Sequence, residues 1–264
     1  MTFKAGVFLS AVLAAAPVSV ALAGGDEVFG GAEVYPFAIV SHYDLAKDAF
    51  ASSTALYVAL NRDLAREGFA VRLAGTMDSY SYDAPWHPAW DVDGDAWSID
   101  GMLGYRWLRG DVASGIFVGA EHQDHDLSPN DPLNPVRGSE TGFKILLDIR
   151  KAATPYSPVY ADLTASYSTA FDTYQVDGRI GLAYGRVVIG PEAWFLGDES
   201  GNAQRVGAFL LTDLPPLLFS NVSSELTISA GYQFTDDDDH GSTFGSEGAY
   251  GVARFKTHFN LNWR

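Results

Sequence analysis

Period-two alternation constrains this chain more than any other feature. Residues 159–171 read VYADLTASYSTAF. Val159, Ala161, Leu163, Ala165 and Tyr167 are apolar, and Tyr160, Asp162, Thr164, Ser166 and Ser168 between them are mostly polar. Successive side chains leave a strand on opposite sides, so the stretch is a strand with one apolar and one polar face. The pattern returns at 97–107, 143–149, 174–184 and 226–234. It predicts twelve strands, roughly at 34–43, 53–61, 67–82, 96–108, 113–124, 140–150, 158–170, 173–184, 187–196, 204–212, 223–234 and 249–263. Sustained helical periodicity is absent; residues 44–50 are the best helical candidate, and they are few.

The chain opens MTFKAGVFLSAVLAAAPVSVALAGG. A lysine, a short apolar run and Ala21-Leu22-Ala23 have the layout of a secretory signal peptide, so 1–23 is expected to be removed and 24–264 to form one domain. The remainder carries no apolar run long enough for a helical membrane span. A net charge of −16 argues against nucleic acid as a partner. With 47% hydrophobic residues the chain has ample material to fold, and with no cysteine it has neither disulfides nor thiolate metal sites.

Three features favour a membrane barrel over a soluble sandwich. Aromatic residues mark the ends of the apolar faces: Trp97, Trp107, Tyr167, Tyr174, Tyr184, Phe234, Phe255 and Trp263. Such girdles sit at the lipid headgroups. The polar faces mix Gly, Ser and Thr with both signs of charge, as an enclosed wall would. The chain ends GAYGVARFKTHFNLNWR, with Phe255, Phe259, Leu261 and Trp263 in phase, although Arg264 follows where an aromatic terminus is usual. Lipid offers no hydrogen bonds to an open sheet edge, so a spanning sheet must close. The expected fold is all-β, a closed antiparallel up-and-down barrel of about twelve strands, in the bacterial outer membrane against lipid and lipopolysaccharide. Long Asp-, Gly- and Pro-rich connections at 83–95, 125–139 and 235–248 fall on one side, and the tight turns at 109–111 and 185–186 on the other.

The runs at 91–95, 122–126 and 236–240 are oxygen-rich, but none has full calcium-loop spacing, and solvated acidic loops explain them. With no GxSxG and no assembled nucleophile–histidine set, no catalytic residue, metal site or cofactor is assigned.

The stretches LSPNDPLNPVRGSETGFKI (127–145), ASYSTAFDTYQVDGRIGLAYG (165–185) and GPEAWFLGDESGNAQRVGAF (190–209) together resemble the alphaproteobacterial cellulose biosynthesis protein BcsS family. EGFAVRLAGTMDSYSYD (67–83) and GMLGYRWL (101–108) fit the same pattern. The resemblance implies an outer-membrane protein assisting cellulose biosynthesis, secretion or surface attachment, with cellulose or other secretion components as partners. It implies no catalytic residue. A general small-solute pore, or an enzyme acting on outer-membrane lipid or polysaccharide, are the alternatives.

Strand parity places a charge network on the inner wall: Arg72, Arg106, Lys144, Asp148, Asp177, Arg179, Arg205 and Arg254. Sugar conduits favour aromatic surfaces beside hydrogen-bonding groups. Inward candidates for glucan contact are Tyr80, Tyr82, Tyr160, Trp194 and Tyr250, with Asp100, Asp162, Glu192 and Glu225. A lumen of this size could equally be plugged by its own charged side chains.

Overall fold

The computed structural model describes residues 34–84, 91–214, 222–236 and 243–260. The expected signal peptide, Leu261, Trp263 and Arg264 lie outside the described residues, as does His240 with most of its acidic run.

Twelve strands follow one another: β1 (Phe37–Ala46), β2 (Ala49–Ala59), β3 (Gly68–Asp83), β4 (Asp91–Arg109), β5 (Val112–Ser128), β6 (Gly138–Lys151), β7 (Val159–Ser168), β8 (Tyr174–Tyr184), β9 (Val187–Asp198), β10 (Gly201–Asp213), β11 (Val222–Asp236) and β12 (Gly248–Phe259). Each pairs antiparallel with the next, and β1 pairs with β12 from Phe37↔Phe259 to Leu45↔Gly251. The sheet is therefore a closed barrel with no free edge.

The short segment 44–50, the best helical candidate in the sequence, is strand and turn. Asp44, Leu45 and Ala46 pair with Ala51, Phe50 and Ala49. The chain reverses at Lys47 and Asp48, where Asp48 adopts a φ of 62°. A segment this short cannot meet the cost of helix nucleation, while each residue it adds to the hairpin gains a ladder bond. The connection expected over 83–95 is also shorter, because β4 begins at Asp91.

The apolar side of each strand faces outward. Ile99 is 57% exposed and its neighbour Asp100 6%, which fixes the sense of the alternation. Leu73, Leu103, Leu163, Ile180, Ile189, Val206 and Ile228 are exposed, whereas Arg179, Glu192 and Arg205 are buried. A soluble barrel would show the reverse arrangement, since bulk water rewards burial of the aliphatic groups. Trp97, Tyr167, Tyr174, Tyr232 and Phe234 ring the apolar band toward the odd-numbered turns, and Phe69, Trp107 and Tyr184 ring it toward the even-numbered ones.

β4 has 19 residues and β5 has 17, well beyond the roughly 9–11 that a bilayer-spanning strand needs. The ends of β3, β4 and β5 therefore project past the apolar band. There Tyr80, Tyr82, Ala84, Val92, Ala96 and Leu127 form a small core. The connection 129–137 tucks against it. The Tyr82 hydroxyl donates to Asp131 Oδ2 (2.9 Å) and accepts from Asn134 Nδ2 (2.8 Å). Asp131 and Asn134 in turn accept from the backbone N–H of Leu133 and Val136. These side-chain caps turn a Pro- and Asn-rich segment into ordered structure.

Candidate functional site: the lumen wall and the cavity above it

Charged side chains turned into a barrel lose bulk water and need partners there. β-Ladder register supplies some. Arg150, Asp162, Arg179 and Glu192 stand opposite one another across β6, β7, β8 and β9, so charge alternates along one row. Arg179 Nε donates to Glu192 Oε2 at 2.8 Å, and its Nη1 lies 3.3 Å from Asp177 Oδ2. The row continues through Gly207 of β10 and Gly231 of β11 to Tyr250 of β12. The glycines are a packing requirement: a Cβ at Gly207 would sit 2.3 Å from the Tyr250 hydroxyl, and one at Gly231 2.7 Å from its Cε1. Without them the ring could not reach over two strands to place its hydroxyl 2.8 Å from Glu192 Oε1. Ser229 donates to Oε2 of the same carboxylate at 2.8 Å.

Other pairs join strands that are not neighbours. Arg150 of β6 grips Glu225 of β11 with two bonds, 2.6 and 2.8 Å, across nearly the full width of the ring. Arg254 of β12 reaches Asp177 of β8 at 3.1 Å. Arg205 of β10 binds Asp44 of β1 and donates to Gln233 Oε1 at 2.7 Å. On the other wall Arg72 binds Asp100, and Lys144 bridges Asp100 (3.2 Å) and Glu121 (2.5 Å). Trp194, Phe117, Phe209, Asp177, Gln233 and Ser229 are almost fully buried, so packed side chains fill the middle of the lumen. At the even-numbered end the β2–β3 connection folds in, and Arg106 Nη1 donates to the Leu64 carbonyl at 2.5 Å.

Above this packed layer, toward the odd-numbered turns, lies a cavity of about 250 Å³. Trp194, almost wholly buried, is among the residues at its edge, and His42 stacks on its indole with centroids 5.7 Å apart. The Arg179 guanidinium lies over the same ring at 5.1 Å. Asp44, Asp78, Glu121 and Gln123 line its sides, and Thr243 and Phe244 of the β11–β12 connection reach its upper part.

A family model described as cellulose biosynthesis protein BcsS matches residues 38–259. The chain belongs to the BcsS family. The match runs from the second residue of β1 to the last of β12, so the BcsS family model takes in the whole barrel. No curated protein matches the chain. Among solved structures the chain is similar to the KdgM porin, with 11% identity over 85% of this chain and 99% of the other and a TM-score of 0.37. It is similar to the β domain of the Bordetella autotransporter BrkA, with 13% identity over 86% of this chain and 100% of the other and a TM-score of 0.42. It is also similar to BamA from Haemophilus ducreyi lacking POTRA domains 1–3, with 8% identity over 86% of this chain and 70% of the other and a TM-score of 0.31.

Of the candidate glucan-contacting residues in this BcsS barrel, Tyr80 and Trp194 line the cavity. Tyr82 holds the 129–137 connection. Tyr160 packs below with Phe209, its hydroxyl 2.9 Å from Asp162. Tyr250, Asp100, Asp162, Glu192 and Glu225 are engaged in the wall's own bonds. Of the network residues, Arg72, Lys144, Asp177, Arg179, Arg205 and Arg254 are in ion pairs. Arg106 binds a carbonyl, and Asp148 interacts electrostatically with Lys256 and Arg106. Sequence reasoning missed His42, Asp44, Asp78, Gln123 and His125 on the cavity wall. The parity that marked Arg72 and Tyr80 as inward also marks Asp78.

Proposed function

We propose that this BcsS-family barrel sits in the bacterial outer membrane and assists cellulose biosynthesis by holding or organising the polymer at the cell surface, without conducting it. The observation that carries this reading is the Arg150–Glu225 strut, a bidentate ion pair across the lumen, joined by the Arg254–Asp177 and Arg205–Asp44 pairs between other strands that are not neighbours. A running polysaccharide or a stream of small solutes needs an open path. Here that path would require breaking partly buried ion pairs, each of which is costly to leave half-made. The apolar outer band between aromatic girdles supports the membrane setting, with lipid chains against Ile99, Leu163 and Ile228 and headgroups of lipid and lipopolysaccharide at the rings. The reading is non-enzymatic.

The test is genetic and chemical. Deleting the gene from a cellulose-producing host should leave total polymer synthesis nearly intact and shift cellulose from the cell-bound fraction to the medium. Unchanged amounts in both fractions would refute the role. A strain that keeps making polymer but retains it inside the envelope would refute the holding mechanism and restore a conduit.

A further inference from the structure

The two ends of the lumen are closed by different chemistry. At the even-numbered end the β2–β3 connection carries Leu64 inward, where it packs with Met102, Phe117 and Leu146. The Leu64 N–H donates to the Tyr35 carbonyl at 2.8 Å, and its own carbonyl accepts from Arg106. Withdrawing this plug would bring a buried apolar cluster to water, so this end resists opening.

The odd-numbered end is covered by residues 243–247 of the β11–β12 connection, whose Thr243 and Phe244 reach the upper part of the cavity. The β11–β12 ladder ends at Gln233↔Gly248, so this strap lies outside it. Side chains hold it instead. The Thr243 hydroxyl donates to Asp198 Oδ2 at the end of β9. The Ser246 hydroxyl donates to Asp48 Oδ2 at 2.8 Å, and its N–H to the Lys47 carbonyl at 2.9 Å, both in the β1–β2 turn. Gln233 Nε2 donates to the Phe244 and Ser246 carbonyls at 2.8 and 3.2 Å, and the Tyr232 hydroxyl to Glu247 Oε1 at 2.9 Å. Gly245 has a φ of 75°, and a Cβ there would sit 2.3 Å from the Lys47 carbonyl oxygen, so the strap lies flush on the turn.

These attachments differ in what releasing them would cost. Gln233 is 0% exposed and accepts from Arg205 at its Oε1, so the packed layer fixes that catch. Thr243, Ser246, Asp198 and Asp48 sit at the rim, where water replaces their bonds when the strap lifts. Phe244 is the one apolar side chain of the strap, packed against the cluster of Trp194, Leu196 and Tyr250. A five-residue segment held by polar bonds and one ring opens locally far more readily than the strands beneath it. We propose that the 243–247 strap is a lid, through which the cavity exchanges with the odd-numbered side while the even-numbered end stays shut. Opening breaks the Thr243–Asp198 and Ser246–Asp48 bonds and lifts Phe244, and every strand keeps its ladder. The lid goes beyond the holding role and does not depend on what the barrel holds.

The chain has no cysteine, so an introduced thiol reports on its own position. Ser53→Cys places one of similar size on the cavity wall, and Met102→Cys places one in the lower cluster. The purified full barrel is treated with a small cationic methanethiosulfonate, and labelling at each position is read by mass spectrometry. Where the lid recloses faster than the reagent reacts, the rate tracks the open fraction. Position 53 should label measurably, but far more slowly than the same thiol in the unfolded chain. Thr243→Val with Ser246→Ala removes two latch hydroxyls, leaves Gln233 untouched, and should speed labelling at 53 about tenfold or more. Asp48→Cys with Ser246→Cys, joined by oxidation, should stop it, and reduction should restore it. Position 102 should stay unlabelled throughout. Labelling at 53 at the unfolded-chain rate, with or without the disulfide, would mean that the cavity stands open past the strap. No labelling in any variant would mean that the strap is a fixed plug. Equal rates with and without the two hydroxyls would mean that they are no latch, and labelling at 102 as fast as at 53 would put the entrance at the other end. Each of these results overturns the lid.

Discussion

Replacing Glu192 by alanine should cost the barrel about 4 kcal/mol of unfolding free energy, and the figure can be built from its surroundings. The Glu192 side chain is 0% exposed and accepts from Arg179 Nε, Ser229 Oγ and the Tyr250 hydroxyl, each at 2.8 Å. Breaking a buried ion pair by removing one partner costs about 3–5 kcal/mol. Arg179 keeps Asp177 at 3.3 Å, so the lower end applies to it. The Tyr250 and Ser229 hydroxyls each lose their acceptor, adding about 1 kcal/mol apiece before relaxation. Losses within one network are not additive, which brings the sum down to about 4. Glu192→Gln should cost roughly half as much, because it retains acceptor capacity for Tyr250 and Ser229. The assay is a reversible urea titration in lipid vesicles, read by tryptophan emission and by gel mobility. A loss below about 1 kcal/mol for Glu192→Ala would mean that water already bathes the carboxylate, since an exposed pair is worth no more than that. The packed lumen would then be wrong.

Further outcomes follow from the same structure. Leu163→Arg, on the outer face, should cost about 2–4 kcal/mol or block assembly, whereas Ser166→Arg, facing the cavity, should be tolerated better in the same titration. Gly207→Ala should lose about 1–3 kcal/mol, because the new methyl meets the Tyr250 hydroxyl at 2.3 Å and the Ala230 carbonyl oxygen at 2.5 Å. Tyr82→Phe should free the 129–137 connection, measurable as faster proteolysis there with the barrel core intact, since Asp131 and Asn134 both lose their anchor. Asp83 stands opposite Asp91 at the projecting end of β3, and its carboxyl is pushed above the ordinary aspartate value by the Asp91 carboxylate. A carboxyl whose folded pKa is raised contributes stability below its unfolded pKa of 3.8 and loses it as pH rises through the folded value. Asp83→Asn should therefore melt at a higher temperature than the wild type at pH 7, with the difference gone near pH 3.

The twelve strands were legible because a barrel with lipid outside and charge inside enforces period two on almost every residue. Reading failed where that enforcement lapses. Around Lys47 and Asp48 the chain reverses, and Asp44-Leu45-Ala46 offered too few alternations to be recognised as strand. The missed Asp44 is the partner of Arg205, so the Asp44–Arg205 contact was invisible with it. Parity identified the inward charges but not their pairings. Arg150 and Glu225 are 75 residues apart, and only the stagger of a closed barrel brings them face to face. The candidate aromatics Tyr80, Tyr82, Tyr160, Trp194 and Tyr250 are all buried, yet which of them meets a cavity depends on depth along the lumen. Tyr80 falls above the packed layer, Trp194 within it at the cavity's edge and Tyr160 below the cavity, a distinction that alternation does not carry.

The most direct test of the central claim is conductance. The purified barrel, reconstituted into planar bilayers, should show no steady ohmic current across the physiological voltage range, because the Arg150–Glu225 strut and its neighbours occupy the path. A stable open-channel current with the wild-type protein would contradict the account at its root.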